Sequence, residues 1–402
     1  MDARVNRAMR LPICLIVTIA LASAATRCSG QASPAQAALA LEQQGRNSEA
    51  EAAWREIQKA HPSSPEPYAH LGLLAARQEH YKEAATLYRK ALALNPAMPG
   101  VRLNLGLALF KGDELKQAIL EFKPLLKSQP AGSPGIQRLV ILIGMAHYGL
   151  GEYAEAAPYL RQAAAGDPQN LPLRMTLAQS CMWSQQYQCV LDTYHEILTL
   201  NAESAEADML AGEALDEMKD NAGATKMFRA AVKANPKEPN AHFGLGYLLW
   251  TQKQYAEAAG EFQAALDNDQ KSSQAMLYLA DSQIQLNRPA EAQPLLEKVV
   301  QLDPSLALGH LDLGIIYSDA ERTEDALREL KAAAKIAPND VNVHWRLGRL
   351  YRTMGKKDDA KIEFDKASKL NKATDEDLFK KIENGHRKPD KEQGPPVATP
   401  NP

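Results

Sequence analysis

Residues Pro65–Met98 read PEPYAHLGLLAARQEHYKEAATLYRKALALNPAM, and the stretch recurs along the chain. Within its 34 residues, Tyr68, Leu71, Gly72, Ala84, Tyr88, Ala91 and Pro96 occupy positions 4, 7, 8, 20, 24, 27 and 32. Extending that frame gives starts at Gln31, Pro65 and Pro99. Four extra residues, Ser133–Ile136, intervene, and the frame resumes at Gln137, Leu171, Ala205, Pro239, Ser273, Ala307 and Val341, ending at Thr374. Position 8 is small throughout: Ala38, Gly72, Gly106, Gly144, Ala178, Gly212, Gly246, Ala280, Gly314, Gly348. Position 20 is alanine except at Val190. Position 24 is always large and apolar: Trp54, Tyr88, Phe122, Leu160, Tyr194, Phe228, Phe262, Leu296, Leu330, Phe364. Small residues let two antiparallel helices approach closely, and the bulky residue fills the space towards the next repeat.

The pattern resembles the tetratricopeptide repeat, a helix–turn–helix unit of this period. The resemblance covers residues 31–374. It implies an all-α fold, a right-handed superhelical solenoid of about ten repeats in two runs, 31–132 (repeats one to three) and 137–374 (repeats four to ten). In such an array each unit packs only on its neighbours, so chain length does not translate into several globular domains.

Formal net charge is −3. Such a balance gives no general attraction to nucleic acid or anionic lipid. Residues 1–24 have the order of a secretory signal peptide. Arg4, Arg7 and Arg10 precede the apolar run Leu11–Ala22, and Ala22-Ser23-Ala24 is a small-x-small cleavage site. Its removal takes away a net charge of +2 and leaves the remainder near −5. The apolar run is short for a membrane span. The chain is therefore expected to be exported, periplasmic or secreted, and membrane-associated if the signal is retained. Arg27 before Cys28 does not fit a lipidation site.

Four cysteines are too few for a disulfide scaffold. Cys181 and Cys189 fall on the two facing helices of repeat five, which permits a bridge in an oxidising compartment. The alternative is two small residues packed as hydrophobes. Pro124 should end or bend the second helix of repeat three early, and Pro158 and Pro294 should kink theirs. The loop Gln129–Gly135 with the four-residue insertion is the expected hinge. From Thr374 the chain reads TDEDLFKKIENG. With Thr374 as N-cap and Gly385 as stop, a separate capping helix is expected over 375–385. Residues 386–402 hold five prolines and no apolar period, which predicts a disordered tail.

No phosphate loop, HExxH pair, paired CxxC or GxSxG elbow is present. His242, His310 and His344 all fall at position 4, where the repeat usually carries an aromatic, and read as packing residues. No enzyme activity, cofactor or metal is expected.

The resemblance implies that first helices line an inner groove through positions 2, 5, 9, 12 and 13. Repeats three to five supply Leu103, Leu107, Phe110, Ile141, Met145, Tyr148, Met175, Met182 and Trp183 there. Repeat seven supplies Phe243, Tyr247 and Trp250, and repeat ten Trp345, Arg349 and Arg352. Repeat six gives an acidic band, Glu206, Glu213, Asp216 and Glu217. Exposed aromatic and methionine patches mark binding surfaces; the alternative is burial between neighbouring first helices. The asparagine ladder of some relatives would repeat Asn at position 6, but Asn104 is followed there by Leu142, Thr176, Leu210 and Gly244. The resulting expectation is a non-enzymatic scaffold that binds a peptide or helix of a protein partner. The alternatives are a structural subunit of an envelope secretion, pilus or polysaccharide-export assembly, and a carrier of apolar or saccharide ligands.

Overall fold

The structure is a computed structural model that describes residues 33–130 and 133–385. The expected signal peptide and tail lie outside the described residues. Among those described there are twenty α-helices and no strand. They fall into two compact units that divide after Met218. The first unit holds α1 (Pro34–Gln43), α2 (Asn47–Ala60), α3 (Pro65–Arg77), α4 (Tyr81–Leu94), α5 (Val101–Lys111) and α6 (Leu115–Ser128). It continues through α7 (Pro134–Gly149), α8 (Tyr153–Gly166), α9 (Leu171–Trp183), α10 (Tyr187–Leu200) and α11 (Ala205–Glu217). The second holds α12 (Asn221–Ala234), α13 (Pro239–Thr251), α14 (Tyr255–Asn268), α15 (Ser273–Gln285) and α16 (Pro289–Leu302). It ends with α17 (Ala307–Asp319), α18 (Thr323–Ile336), α19 (Val341–Thr353) and α20 (Lys357–Gly385). Within each unit consecutive helices pair and stack, so each unit is a solenoid of helical hairpins.

The helices keep the period of the sequence. First helices typically run over positions 1–13 and second helices over 17–30. The turn between them is built the same way in all repeats but the sixth, which shares only the backbone dihedral. Position 15 has φ between 59° and 75°, at Gly45, Glu79, Asp113, Gly151, Gln185, Lys219, Lys253, Asn287, Glu321 and Gly355. Around it the N–H of position 16 reaches back to the carbonyl of position 11, as in His80 to Ala75 (2.9 Å), Gln254 to Leu249 (2.9 Å) and Arg322 to Tyr317 (2.8 Å). This bond closes the first helix in a Schellman motif and satisfies a carbonyl that would otherwise be orphaned.

The small-and-large pairing is visible atom by atom. Position 20 is sealed, and Trp54, Tyr88, Phe122 and Phe262 at position 24 are fully buried. A Cβ added to Gly106 would lie 2.4 Å from Phe122 Cε1, and one on Gly246 2.8 Å from Phe262. The bulky ring thus lies on the glycine of its own repeat. It also reaches onward: a Cβ on Gly244, in α13, would meet the Phe228 ring of α12 at 2.2 Å.

Several expectations need correction. Pro124 does not end α6 early; α6 has the same 14 residues as α4. The carbonyl that loses its N–H partner belongs to Leu120, which is 68 % exposed and open to water. Pro158 and Pro294, at which a kink is expected, are each the sixth residue of a helix of ordinary length, and the carbonyls they free belong to Ala154 and Ala290, both exposed in the first turn. The inserted residues lengthen α7 instead of widening a loop. Ser133 is its N-cap, accepting from Ile136 N–H, and Pro134 opens its first turn. The division between units falls inside repeat six, and α6 and α7 pack on each other. Finally, no separate capping helix starts at Thr374: α20 runs unbroken for 29 residues. Most earlier repeats carry a proline just past their second helix, as at Asn95-Pro96, Asp167-Pro168, Asn235-Pro236 and Asp303-Pro304, whereas here the pair is Asn371-Lys372 and no proline blocks continuation.

Candidate functional site

The histidines at position 4 are accounted for by packing. Nδ1 of His242, His310 and His344 lies 2.7, 2.7 and 2.6 Å from the carboxylates of Glu261, Glu329 and Glu363, each at position 23 of the same repeat. Nε2 faces the carbonyl of the proline that closes the preceding repeat, at 3.0 Å for Pro236, 3.3 Å for Pro304 and 2.8 Å for Pro338. Each ring therefore ties first helix, second helix and preceding turn together. Burial would raise Glu363, but hydrogen bonds from Lys366 and His344 outweigh it and its pKa lies below the ordinary value. Other repeats use different chemistry at position 4. Arg102 reaches Glu121 (2.8 Å), and Asp208 accepts from Tyr194 Oη–H (2.8 Å).

In the first unit, Leu103, Leu107, Phe110, Ile141, Met145, Tyr148 and Met182 are half-buried and pack against core side chains. Met175 is closed off, so it offers no surface. Trp183, at 56 % exposure, is the open end of an aromatic row. Its ring lies 6.2 Å from Tyr153, which meets Tyr148 edge-on at 5.5 Å. Tyr148 Oη–H donates to Gln179 (2.8 Å), whose amide donates to Glu206 (2.9 Å), so α7, α9 and α11 are linked along one face. Burial, and then the Tyr153 and Glu206 charges, raise the Tyr148 hydroxyl above its usual pKa. Glu206, Glu213 and Glu217 are exposed and Asp216 half-buried along α11. The structure joins Cys181 on α9 to Cys189 on α10, with Cα atoms 5.8 Å apart, inside the span a disulfide bridges.

In the second unit, Phe243, Tyr247 and Trp250 of α13 gather around Tyr278 of α15. The ring centroids lie 5.9, 5.5 and 5.2 Å from it, all edge-on. Tyr247 is 37 % exposed and Trp250 half-buried, so the cluster has one open face. Trp250 Nε1–H donates to Asp281 of α15. Beyond it, on α17, sits Asp312. Burial above all, and then the Asp281 charge, push its carboxyl up to about 8, against the pull of Arg346 on α19. On α19, Trp345 is 43 % exposed, with the Arg346 and Arg349 guanidinium carbons 5.5 and 4.9 Å from its ring centre.

Sequence reasoning missed Tyr278, Asp281 and Asp312. Tyr278 and Asp312 occupy position 6, which was read only for asparagine. The available signal was an acid inside an apolar first helix, as in ALGHLDLGIIYSD. Among the described residues no group of three His, Cys, Asp or Glu side chains converges as a metal site would require. Nor is any described helix long and apolar enough to cross a membrane.

Known proteins bear on this geometry through the repeat. One tetratricopeptide repeat family model matches residues 36–99 and 209–273. A second matches 75–140, 147–213, 249–311 and 317–378. A DnaJ homolog subfamily C member 7 homolog of Schizosaccharomyces pombe is 27 % identical over 162 residues, 36 % of this chain and 34 % of that protein. The match thus spans about a third of the relative's length. Among solved structures, YrrB, a TPR protein with an unusual peptide-binding site, aligns at 19 % identity over 44 % of this chain and 91 % of its own, with a TM-score of 0.40. The pilF protein of Pseudomonas aeruginosa aligns at 16 % identity over 48 % and 88 %, with a TM-score of 0.44. The Cut9–Hcn1 complex of the APC/C aligns at 14 % over 84 % and 74 %, with a TM-score of 0.40. With the second family model alone matching more than half of its residues, on the frame that the helices and turns keep, the chain belongs to the tetratricopeptide repeat family.

Proposed function

We propose that the chain is an exported, non-enzymatic scaffold whose first helices hold a peptide or helix of a partner protein. Proteins of this repeat family typically mediate protein–protein interaction. The observation that carries the reading is the placement of open aromatic residues on first helices: Trp183 in the first unit, Tyr247 and Trp345 in the second. Aromatic rings held half-buried by their neighbours supply contact area with little side-chain entropy left to lose, which suits a binding face. The acids of α11 would favour a partner with basic groups opposite them.

The test is cross-linked capture from the envelope fraction of the native host. It compares the wild type with a variant carrying Tyr148→Ala, Trp183→Ala, Tyr247→Ala and Trp250→Ala, shown by circular dichroism to keep its helices. A partner recovered only with the wild type supports the inner face. Equal recovery moves the interface to the second helices or the ends. Export has its own test: the mature protein should begin at Ala25 and appear outside the cytoplasm, and an intact cytoplasmic chain would refute it.

A further inference from the structure

Asp281 and Asp312 are each only 7 % exposed, on first helices that are otherwise mostly apolar. Asp281 is partly satisfied. Its Oδ2 accepts from Trp250 Nε1–H and its Oδ1 lies 3.5 Å from Gln285 Nε2. Asp312 is not: its Oδ2 is buried and meets no hydrogen-bond donor. A buried carboxylate oxygen without a donor destabilises the fold that contains it, and so does a second carboxylate beside it. An apolar residue of similar size would serve the solenoid better. Arg346 lies near enough to act on Asp312, yet its guanidinium also lies 5.5 Å from the Trp345 ring and gives Oδ2 no hydrogen bond. On the other side of Asp281 stand the rings of Trp250, Tyr247 and Tyr278.

We propose that this part of the second unit takes a basic side chain, an arginine or lysine, of a partner protein segment, the Asp312 carboxyl turning so that its now buried Oδ2 accepts from the cation. The inference rests on the groove reading above and adds the chemistry of one contact. The alkyl stem of the basic residue lies on the Tyr247 and Trp250 rings, which attract cations through their faces. Its head supplies the donor that Asp312 lacks and offsets the repulsion from Asp281. A cation favours the ionised form of Asp312, an anionic group would bring a further negative charge beside Asp281, and an apolar group would leave Asp312 as it is.

Phage-displayed random dodecapeptides panned on the full chain test both levels. Peptides that bind the wild type and not a Tyr247→Ala, Trp250→Ala variant are the groove ligands. Among them, an arginine or lysine should recur at one aligned position and vanish from selections on Asp312→Asn. The best peptide is then synthesised with that residue as arginine or citrulline, or as lysine or norleucine, and titrated by tryptophan fluorescence. Removing the charge from the peptide and the Asp312→Asn change should each weaken binding by about tenfold. The two together should weaken it little further, since they remove the same contact. Peptides that bind the groove with no basic preference, or equally well to Asp312→Asn, overturn this contact and leave the groove reading standing. A selection that yields no groove-dependent peptide overturns both. Asp312→Asn is isosteric, and the wild-type comparison of charged and neutral peptides holds whether or not that variant folds.

Discussion

Lys253 has φ of +61°, and six other side-chain-bearing residues share that conformation at position 15. The left-handed region costs an ordinary L-residue about 1–2 kcal/mol, while glycine enters it freely but loses more entropy on folding. Lys253→Gly should therefore stabilise the protein by up to about 1 kcal/mol in urea unfolding. Gly151→Ala, at the φ of +73° in repeat four, should destabilise it by about as much. This turn was not legible in the sequence, because Glu, Gln and Lys carry no sign of a left-handed backbone. Only Gly45, Gly151 and Gly355 announce it, and three glycines at a loop position look unremarkable. Asp312 makes the second residue-scale prediction. Its carboxyl is raised to about 8 in the folded chain by burial and by Asp281, against the pull of Arg346, whereas an unfolded aspartate titrates near 3.9. The native state thus holds a proton that the unfolded chain releases between those values. Its contribution to stability is greatest at low pH and falls as pH rises through about 8. Asp312→Asn cannot titrate. Relative to wild type its stability should climb across that window with a slope of at most about 1.4 kcal/mol per pH unit, and urea melts from pH 5 to pH 9 would read it. Parallel curves for the two proteins would show that Asp312 is ionised throughout.

At the scale of one element, the close approach of paired helices was readable and their ends were less so. Small residues at positions 8 and 20 against a large one at 24 leave a recurrent mark, because a Cβ at Gly106 has no room beside Phe122. Proline did not end α6 early. Pro124, Pro158 and Pro294 free only carbonyls on exposed residues, which water can satisfy, so α6, α8 and α16 keep their length. The end of α20 was misread for the opposite reason. Thr374 with Asp375 and Glu376 resembles a helix start, but a start is realised only where the preceding helix has stopped, and Asn371-Lys372 does not stop it. Restoring the stop with Lys372→Pro should end α20 near residue 371. Proline in a helix interior costs about 3 kcal/mol, more than a short terminal extension can offset. Amide exchange beyond residue 372 should then accelerate, while exchange in α17–α19 and the melting temperature stay as in the wild type. A matching loss in α19 would mean that the extension braces the last repeat.

For the whole molecule, what matters is how far a local change travels. Within each unit a helix packs on its sequence neighbours, with weaker contact between successive first helices such as α13 with α15 and α15 with α17. Stability in such an array is a sum of repeat and interface contributions, and no single core ties remote repeats together. The aromatic rows follow the same logic. The Tyr148–Tyr153–Trp183 row belongs to the first unit and the Tyr247–Trp250–Tyr278 cluster to the second, and each is assembled from adjacent hairpins. That these faces carry aromatic residues was evident from the repeat frame. Which rings remain open depended on packing that a frame cannot show: Met175 closes while Trp183 stays exposed. Phe122→Ala gives the decisive test of locality, because Phe122 is fully buried on Gly106 in the first unit. Emptying that site should cost about 3–5 kcal/mol. Hydrogen exchange should rise in α5 and α6, less in α4 and α7, and not in α17–α19. Thermal unfolding should broaden or split, as the weakened hairpins open before the rest. Uniformly faster exchange along the chain, with one sharp transition at a lower temperature, would instead mean that the repeats unfold as a single cooperative body. The aromatic faces of the two units could then not be perturbed independently, and the substitutions that test the inner face would have to be judged against a stability change shared by the whole chain.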